Sequence, residues 1–191
     1  MIPLFEKEIL LASKSPRRRS LIKELGFEVK IIENNANEDF PKDLKREKIP
    51  VYLAEKKANS IGIEINKNQI LVCSDTIVWC NGTALNKPHD REEAVEMLQH
   101  LSGRKHEVIS GVCLKSNEKT ISFFDITEVY FKQLQKEEIE YYVEQFKPYD
   151  KAGAYGIQEW IGFIGVEKIK GSYFNVVGLP VQKLYTYLLN F

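Results

Sequence analysis

The sequence predicts a mixed α/β fold, and three observations carry that prediction. Short apolar runs of strand length alternate along the chain with segments whose apolar residues recur at helical spacing. Asn81-Gly82 places a tight turn, hence a hairpin, inside that alternation. The 191 residues are enough for one compact domain with a real core, divisible into two lobes, but not for two domains of ordinary size.

The elements follow in order. Ile9 to Ala12 reads as a short buried strand, and Pro16 suits the first turn of a helix, where its missing N–H costs nothing. Leu21, Ile22 and Leu25 give that helix an apolar side, and Gly26 stops it. Glu28 to Ile32 is a second strand; the polar stretch 33–48 then reads as a long loop. A helix from Pro50 to Ile63 carries Val51, Ala54, Ala58 and Ile61 on one face. Ile70 to Val78 is the strongest strand, followed by the Asn81-Gly82 hairpin. Asp90 and Glu93 form a capping box for a helix lined by Ala94, Met97, Leu98 and Leu101, ended by Gly103. Glu107 to Lys115 and Thr120 to Lys132 suggest an antiparallel pair turning near Asn117. Ile139, Tyr142, Val143 and Phe146 mark a helix, Ile161 to Ile169 a strand, and Pro180 opens a terminal helix through Leu188.

Composition excludes several classes of function. Lys plus Arg total 27 and Asp plus Glu total 27, so no global charge draws the chain to nucleic acid or to an anionic membrane. The opening MIPLFEKEILLA has charges within its first eight positions and no long apolar stretch, which reads as neither leader nor membrane span and predicts a cytoplasmic protein. Cys73, Cys80 and Cys113 form no Cys-x-x-Cys pair and fall in strands, so they are expected to be buried apolar groups. His89, His100 and His106 lack metal-type spacing and are expected at the surface.

Four places could carry chemistry. In "LLASKSPRRRSLIKEL" a strand turns through Ser13-Lys14-Ser15 into a helix start, which aims free N–H groups and the positive dipole end at the turn. Arg17 and Arg18 sit in the first helical turn, where the dipole opposes cations, and this suggests an anionic ligand such as phosphate. Solvated arginines on a surface turn are the competing reading. In "ILVCSDTIVW", Asp75 and Thr76 come late in a strand otherwise fit for burial; a carboxylate there must be paired, hydrated or metal-bound. It could hold a divalent cation or take a proton from water, or simply bond the next turn. Lys57 borders the stripe of Leu53, Ala54, Ala58 and Ile61, whereas Lys56 points nearly the opposite way, so Lys57 is the inward candidate of the two, with a lysine that snorkels to water as the competing reading. Lys87 lies in a loop after the hairpin. Around "YDKAGAYGIQEW", small residues flank Tyr155 and Gln158, letting backbone approach a flat ligand while the glutamine amide offers a donor and an acceptor to a base edge.

Seven segments, "LASKSPRR", "LAEKKA", "SDTIV", "LNKP", "LSGRKHEVISGV", "DKAGAYGIQ" and "GSYFNVVGLP", resemble in order and spacing the Maf family of nucleoside triphosphate pyrophosphatases. The resemblance implies a mixed twisted sheet in two lobes with a central nucleotide cleft, related to the inosine triphosphate pyrophosphatases, in a single domain over residues 1–191. It implies hydrolysis of dTTP and UTP to the monophosphate and pyrophosphate with a divalent metal cation, Mg or Mn, and a homodimer. By motif, Asp75 becomes the proton acceptor for water and joins Glu38 at the metal. Ser13, Arg17, Arg18, Lys57 and Lys87 surround the phosphates. Arg17, Thr76 and Gln158 match positions tied to substrate choice, and Arg19, with no counterpart, is expected to face solvent. One departure stands out: the family commonly has glycine after the motif glutamine, and this chain has Glu159. A non-enzymatic nucleotide-binding regulator of cell division and a phosphatase releasing orthophosphate remain the alternatives.

Overall fold

Seven strands form one sheet among the described residues. The computed structural model describes residues 6–191; the first five residues of the opening segment lie outside that range. The described elements are β1 (Glu8–Leu11), α1 (Pro16–Glu24), β2 (Glu28–Ile31), α2 (Lys48–Ser60), β3 (Gln69–Cys80), β4 (Thr83–Leu85), α3 (Arg91–Leu101), β5 (Lys105–Lys115), β6 (Thr120–Phe131), α4 (Lys136–Phe146), α5 (Trp160–Gly165), β7 (Val166–Lys170), α6 (Tyr173–Val177) and α7 (Val181–Leu189). The sheet runs β2-β1-β3-β5-β6-β7, with β4 paired to β3. β1 is parallel to β2 and to β3, while β4 on β3 and β7 on β6 are antiparallel, so the sheet is mixed as the sequence predicts. β5 and β6 are neighbours joined only by the turn at 116–119, too short for a parallel crossover.

The chain divides into two compact units. The first runs to Thr76 and adds Ser110–Asp125 and Gly178–Phe191; the second comprises Ile77–Ile109 and Ile126–Val177. In the first unit the period of two along each strand sorts side chains between two faces. Ile9 and Leu11 of β1 and Ile70 and Val72 of β3 pack with Ile22 of α1 and Leu184 and Leu188 of α7. Leu10 of β1, Ala12 just beyond it, and Leu71 and Cys73 of β3 pack instead with Ala54 and Ala58 of α2. Fully burying each Leu or Ile contributes about 1.5–3 kcal/mol, so a one-residue slip of β3 would exchange both faces at prohibitive cost. Gly111 of β5 lets α2 lie close, because a Cβ there would come 2.3 Å from the Pro50 carbonyl.

The second unit has its own core, in which Val78 and Cys80 of β3, Ala94, Leu98 and Leu101 of α3, Tyr142 and Val143 of α4, and Ile157 and Ile161 are all buried. Asp90 caps α3 through Glu93 N at 2.8 Å, but Glu93 Oε2 accepts from His89 N at 2.7 Å, one residue before the expected reciprocal bond. A complete capping box opens α4 instead, between Gln135 and Glu138. Two expectations are corrected here. Residues 160–165 are helical rather than extended, and only from Val166 does the chain become a strand; at Gly162 a Cβ would meet the Ile157 carbonyl oxygen at 1.9 Å, so this tight entry requires glycine. His106 is not at the surface: it is 1% exposed, with Nε2 2.8 Å from the Tyr155 hydroxyl. The three cysteines are buried and free, as expected. Among the described residues no helix is long and apolar enough to cross a membrane.

Candidate active site

Parity along β3 decides which helix each candidate meets. Asp75 shares a face with Leu71 and Cys73, the face covered by α2, while Ser74 and Thr76 share the face of Ile70 and Val72, covered by α1. Asp75, only 8% exposed, therefore meets Lys57 of α2: Lys57 Nζ donates to Asp75 Oδ1 and, at 3.0 Å, to Glu38 Oε1. Lys57 is buried, as its place beside the apolar stripe predicts. Its neighbour Lys56 turns away to Asn37 and the Asp39 carbonyl. Asn34 Nδ2 donates to the Lys57 carbonyl at 3.0 Å, so the polar loop is tied along α2 and carries Glu38 to the same ammonium. Two carboxylates sharing one buried cation avoid the cost of an unpaired internal charge.

On the other face, Ser15 caps α1 by accepting from Arg18 N at 3.4 Å, Pro16 occupies the first turn, and no acidic residue offsets the arginines there. Arg18 does not extend into solvent. Its Nε donates to Gly178 O at 2.8 Å, Nη1 to Ser74 O at 2.9 Å and to Ser13 Oγ at 3.5 Å, and Nη2 to Thr76 Oγ1 at 2.9 Å. Burial lowers its pKa below the usual arginine value; Asp75 opposes that shift, Arg17 adds to it and Glu38 opposes it. Thr76 Oγ1 also lies 2.8 Å from Ser110 Oγ, and Gly178 O accepts from it at 3.3 Å. Ser110 and Gly178 are thus site residues that sequence reasoning missed; "EVISGV" and "VVGLP" were legible as motif segments, but neither gave a chemical reason to single out these two. Arg17 is half-buried and Arg19 exposed, the latter as expected.

The structure therefore brings Ser13, Arg18 and Thr76 together on one face of β3, and Glu38, Lys57 and Asp75 on the other. Lys87 and Gln158 belong to the second unit. There Gly153 N donates to Asn86 O at 3.1 Å, which ties the loop before Lys87 to the Ala152–Ala154 turn leading to Gln158. Gln158 Oε1 is buried and has no hydrogen-bond partner among the described residues. Tyr155 is buried, with its hydroxyl 2.8 Å from His106 Nε2 and its ring edge-on to Phe131.

Among the described residues no three His, Cys, Asp or Glu side chains cluster as a ready-made metal cage. Glu38 and Asp75 still fit a hard divalent cation, since Mg is commonly held by one or two carboxylates with water and substrate phosphates completing the shell.

The sequence model of a family described as Maf-like protein matches residues 8–191. A dTTP/UTP pyrophosphatase of Phocaeicola vulgatus is 50% identical over 191 residues, covering 98% of this chain and 98% of the relative. A dTTP/UTP pyrophosphatase of Flavobacterium johnsoniae is 50% identical over 181 residues, covering 95% and 93%. Among solved structures, the Staphylococcus aureus Ham1 protein matches with a TM-score of 0.49 at 17% identity, covering 95% of this chain and 100% of that one.

Proposed function

The chain belongs to the Maf family, and from that membership we propose that it hydrolyses dTTP and UTP to the nucleoside monophosphate and pyrophosphate. The observation that carries the chemistry is Asp75, placed by strand parity on a buried face beside Lys57 and Glu38. Cleaving the α–β phosphoanhydride needs an aligned water, a group to take its proton, and cations to neutralise the triphosphate and the leaving pyrophosphate. Asp75 takes the proton of the attacking water. Lys57 supplies fixed positive charge beside it, and Ser13, Arg17, Arg18 and Lys87 bind phosphate oxygens. Glu38 and Asp75 would hold a Mg or Mn ion, which supplies further charge neutralisation on the phosphates. The reading treats residues 1–191 as one domain, which the extent of the family match supports.

Base choice falls to Gln158. Its buried, unpaired Oε1 is an acceptor waiting for a donor. The N3–H of uracil or thymine is such a donor, and the amide N–H can donate to the adjacent ring carbonyl. Arg17 and Thr76 contribute to substrate choice, Thr76 through its fixed place between Arg18 and Ser110. A non-enzymatic regulator is the weaker alternative, because mere binding gives no reason to hold a carboxylate at Asp75.

The deciding experiment measures pyrophosphate release from dTTP, UTP, CTP, 5-methyl-UTP and 7-methyl-GTP with Mg and with Mn. Preference for dTTP and UTP is expected. Orthophosphate as the product, or preference for 7-methyl-GTP, overturns the reading. Asp75→Asn should keep dTTP binding by calorimetry and lose at least about 100-fold in turnover; near-normal turnover removes Asp75 as the base. We also propose a cytoplasmic homodimer, in keeping with the family and with free, buried cysteines; sedimentation at the mass of one chain overturns the dimer.

A further inference from the structure

Glu159, which directly follows Gln158, turns its carboxylate onto Tyr142. It lies in a closed polar network with Tyr142 and Lys151. The Tyr142 hydroxyl donates to Glu159 Oε2 and accepts from Gly156 N at 3.0 Å. Lys151 Nζ reaches Glu159 Oε1 at 3.2 Å and Asp150 Oδ1 at 2.6 Å. Glu159 N donates to Gly156 O at 3.0 Å, and Glu159 O accepts from Gly162 N at 2.9 Å at the entry to α5. Tyr142 is 0% exposed and Lys151 8%. Burial, and then the bond to Glu159, raises the Tyr142 pKa, so the hydroxyl keeps the proton it donates.

One phenol oxygen thus touches both ends of the segment Gly156–Glu159, and Gln158 lies inside that segment. A short turn closed twice, once by its own backbone and once through Tyr142, has little freedom to shift. This matters for base choice because of the symmetry of an amide. Displaced or rotated, the Gln158 amide would pair equally well with cytosine, which offers N3 as acceptor and its amino group as donor. Rejection of cytosine therefore requires that the amide be presented in one orientation, and a turn that stays in place is the first condition for that.

We propose that Glu159, clamped by Tyr142 and Lys151, is a positioning residue that fixes Gln158 and so sets discrimination between uracil or thymine and cytosine. The proposal rests on Gln158 as the base reader. With glycine at 159, neither the carboxylate nor the Tyr142 link would exist.

The test compares kcat and KM for UTP and CTP, with thermal melting, in the wild type, Tyr142→Phe, Glu159→Ala, Glu159→Gln and Gln158→Ala. Tyr142→Phe keeps the packed ring and removes only the hydroxyl, so it isolates the clamp from folding. Both Tyr142→Phe and Glu159→Ala should lower the UTP-to-CTP ratio of kcat/KM by about fivefold or more, through KM for UTP, with kcat within about twofold. Glu159→Gln, which can still accept from Tyr142, should recover most of the ratio. A purely structural network would lower the melting temperature and leave the ratio untouched. If Gln158→Ala abolishes discrimination while Tyr142→Phe and Glu159→Ala preserve it, the clamp is overturned and Gln158 stands. If Gln158→Ala also leaves the ratio unchanged, the base reader and the clamp fall together.

Discussion

At the scale of single residues, three consecutive arginines have three different environments. Arg19 is exposed and Arg17 half-buried, whereas Arg18 directs most of its N–H groups to Ser13, Ser74, Thr76 and Gly178 and keeps one Nη2 hydrogen for a phosphate oxygen. Lysine has one ammonium and no planar fork, so it cannot reproduce bonds to acceptors on several sides. Arg18→Ala and Arg18→Lys should both lower activity by at least about tenfold and destabilise the protein by about 2 kcal/mol through the orphaned carbonyls. Arg19→Ala should leave activity and stability within error. Assays with chemical denaturation on the three variants check this, and an active, stable Arg18→Lys would show that the fork is dispensable. The position of Arg18 at an anion-friendly helix start was legible in the sequence. Its acceptors were not, because two are backbone carbonyls and one of these, Gly178, comes from the far end of the chain, where side-chain chemistry leaves no mark. Asp75 and Lys57 were legible for the opposite reason: each is a charged group on an apolar face, and period arguments say which face.

At the scale of elements, β5 carries a buried group that titrates against folding. Burial drives the His106 pKa from an ordinary 6.5 down to about 3, so the folded protein holds a neutral imidazole against Tyr155. The unfolded chain binds a proton below pH 6.5 that the folded chain refuses, so the stabilisation present above that pH is lost as pH falls toward 3. The slope attributable to this one group approaches about 1.4 kcal/mol per pH unit within that window. Urea midpoints between pH 7 and pH 4.5 should fall more steeply in the wild type than in His106→Gln, and equal slopes would exclude His106 as the source. The sequence placed His106 on the surface because its neighbours Lys105 and Glu107 are charged. Alternation on a strand nevertheless puts it on the opposite face from both. A similar limit applies to residues 160–165: "WIGFIG" is a short apolar run of strand length, but the preceding turn and the glycine contact at Ile157 commit it to a helix. Period alone does not separate short apolar helices from short strands. The short strands themselves, the cap of α3 and the apolar stripe of α2 were all readable because each is encoded within about a dozen residues.

At the scale of the whole molecule, charge balance shapes how a polyanionic substrate is found. With 27 basic and 27 acidic residues the net formal charge is zero, so a triphosphate would meet no long-range attraction, and on the proposed reading it is drawn by the local field of cations that reach solvent, such as Arg17. Such a field acts over about one Debye length, which shrinks from about 10 Å at 0.1 M to about 3 Å at 1 M salt. Encounter and initial binding should weaken accordingly. Once the substrate is bound, Asp75 and Lys57 are buried and their interaction is screened far less. Raising potassium chloride from 0.1 M to 1 M at constant divalent metal should therefore raise KM for dTTP by about three- to tenfold, with kcat held within about twofold. A strongly net-basic enzyme would show a steeper rise, because its distant charges would contribute as well. Loss of kcat at constant KM would instead mean that salt disrupts the buried Asp75–Lys57 pair, and that the surface cations do not gather substrate.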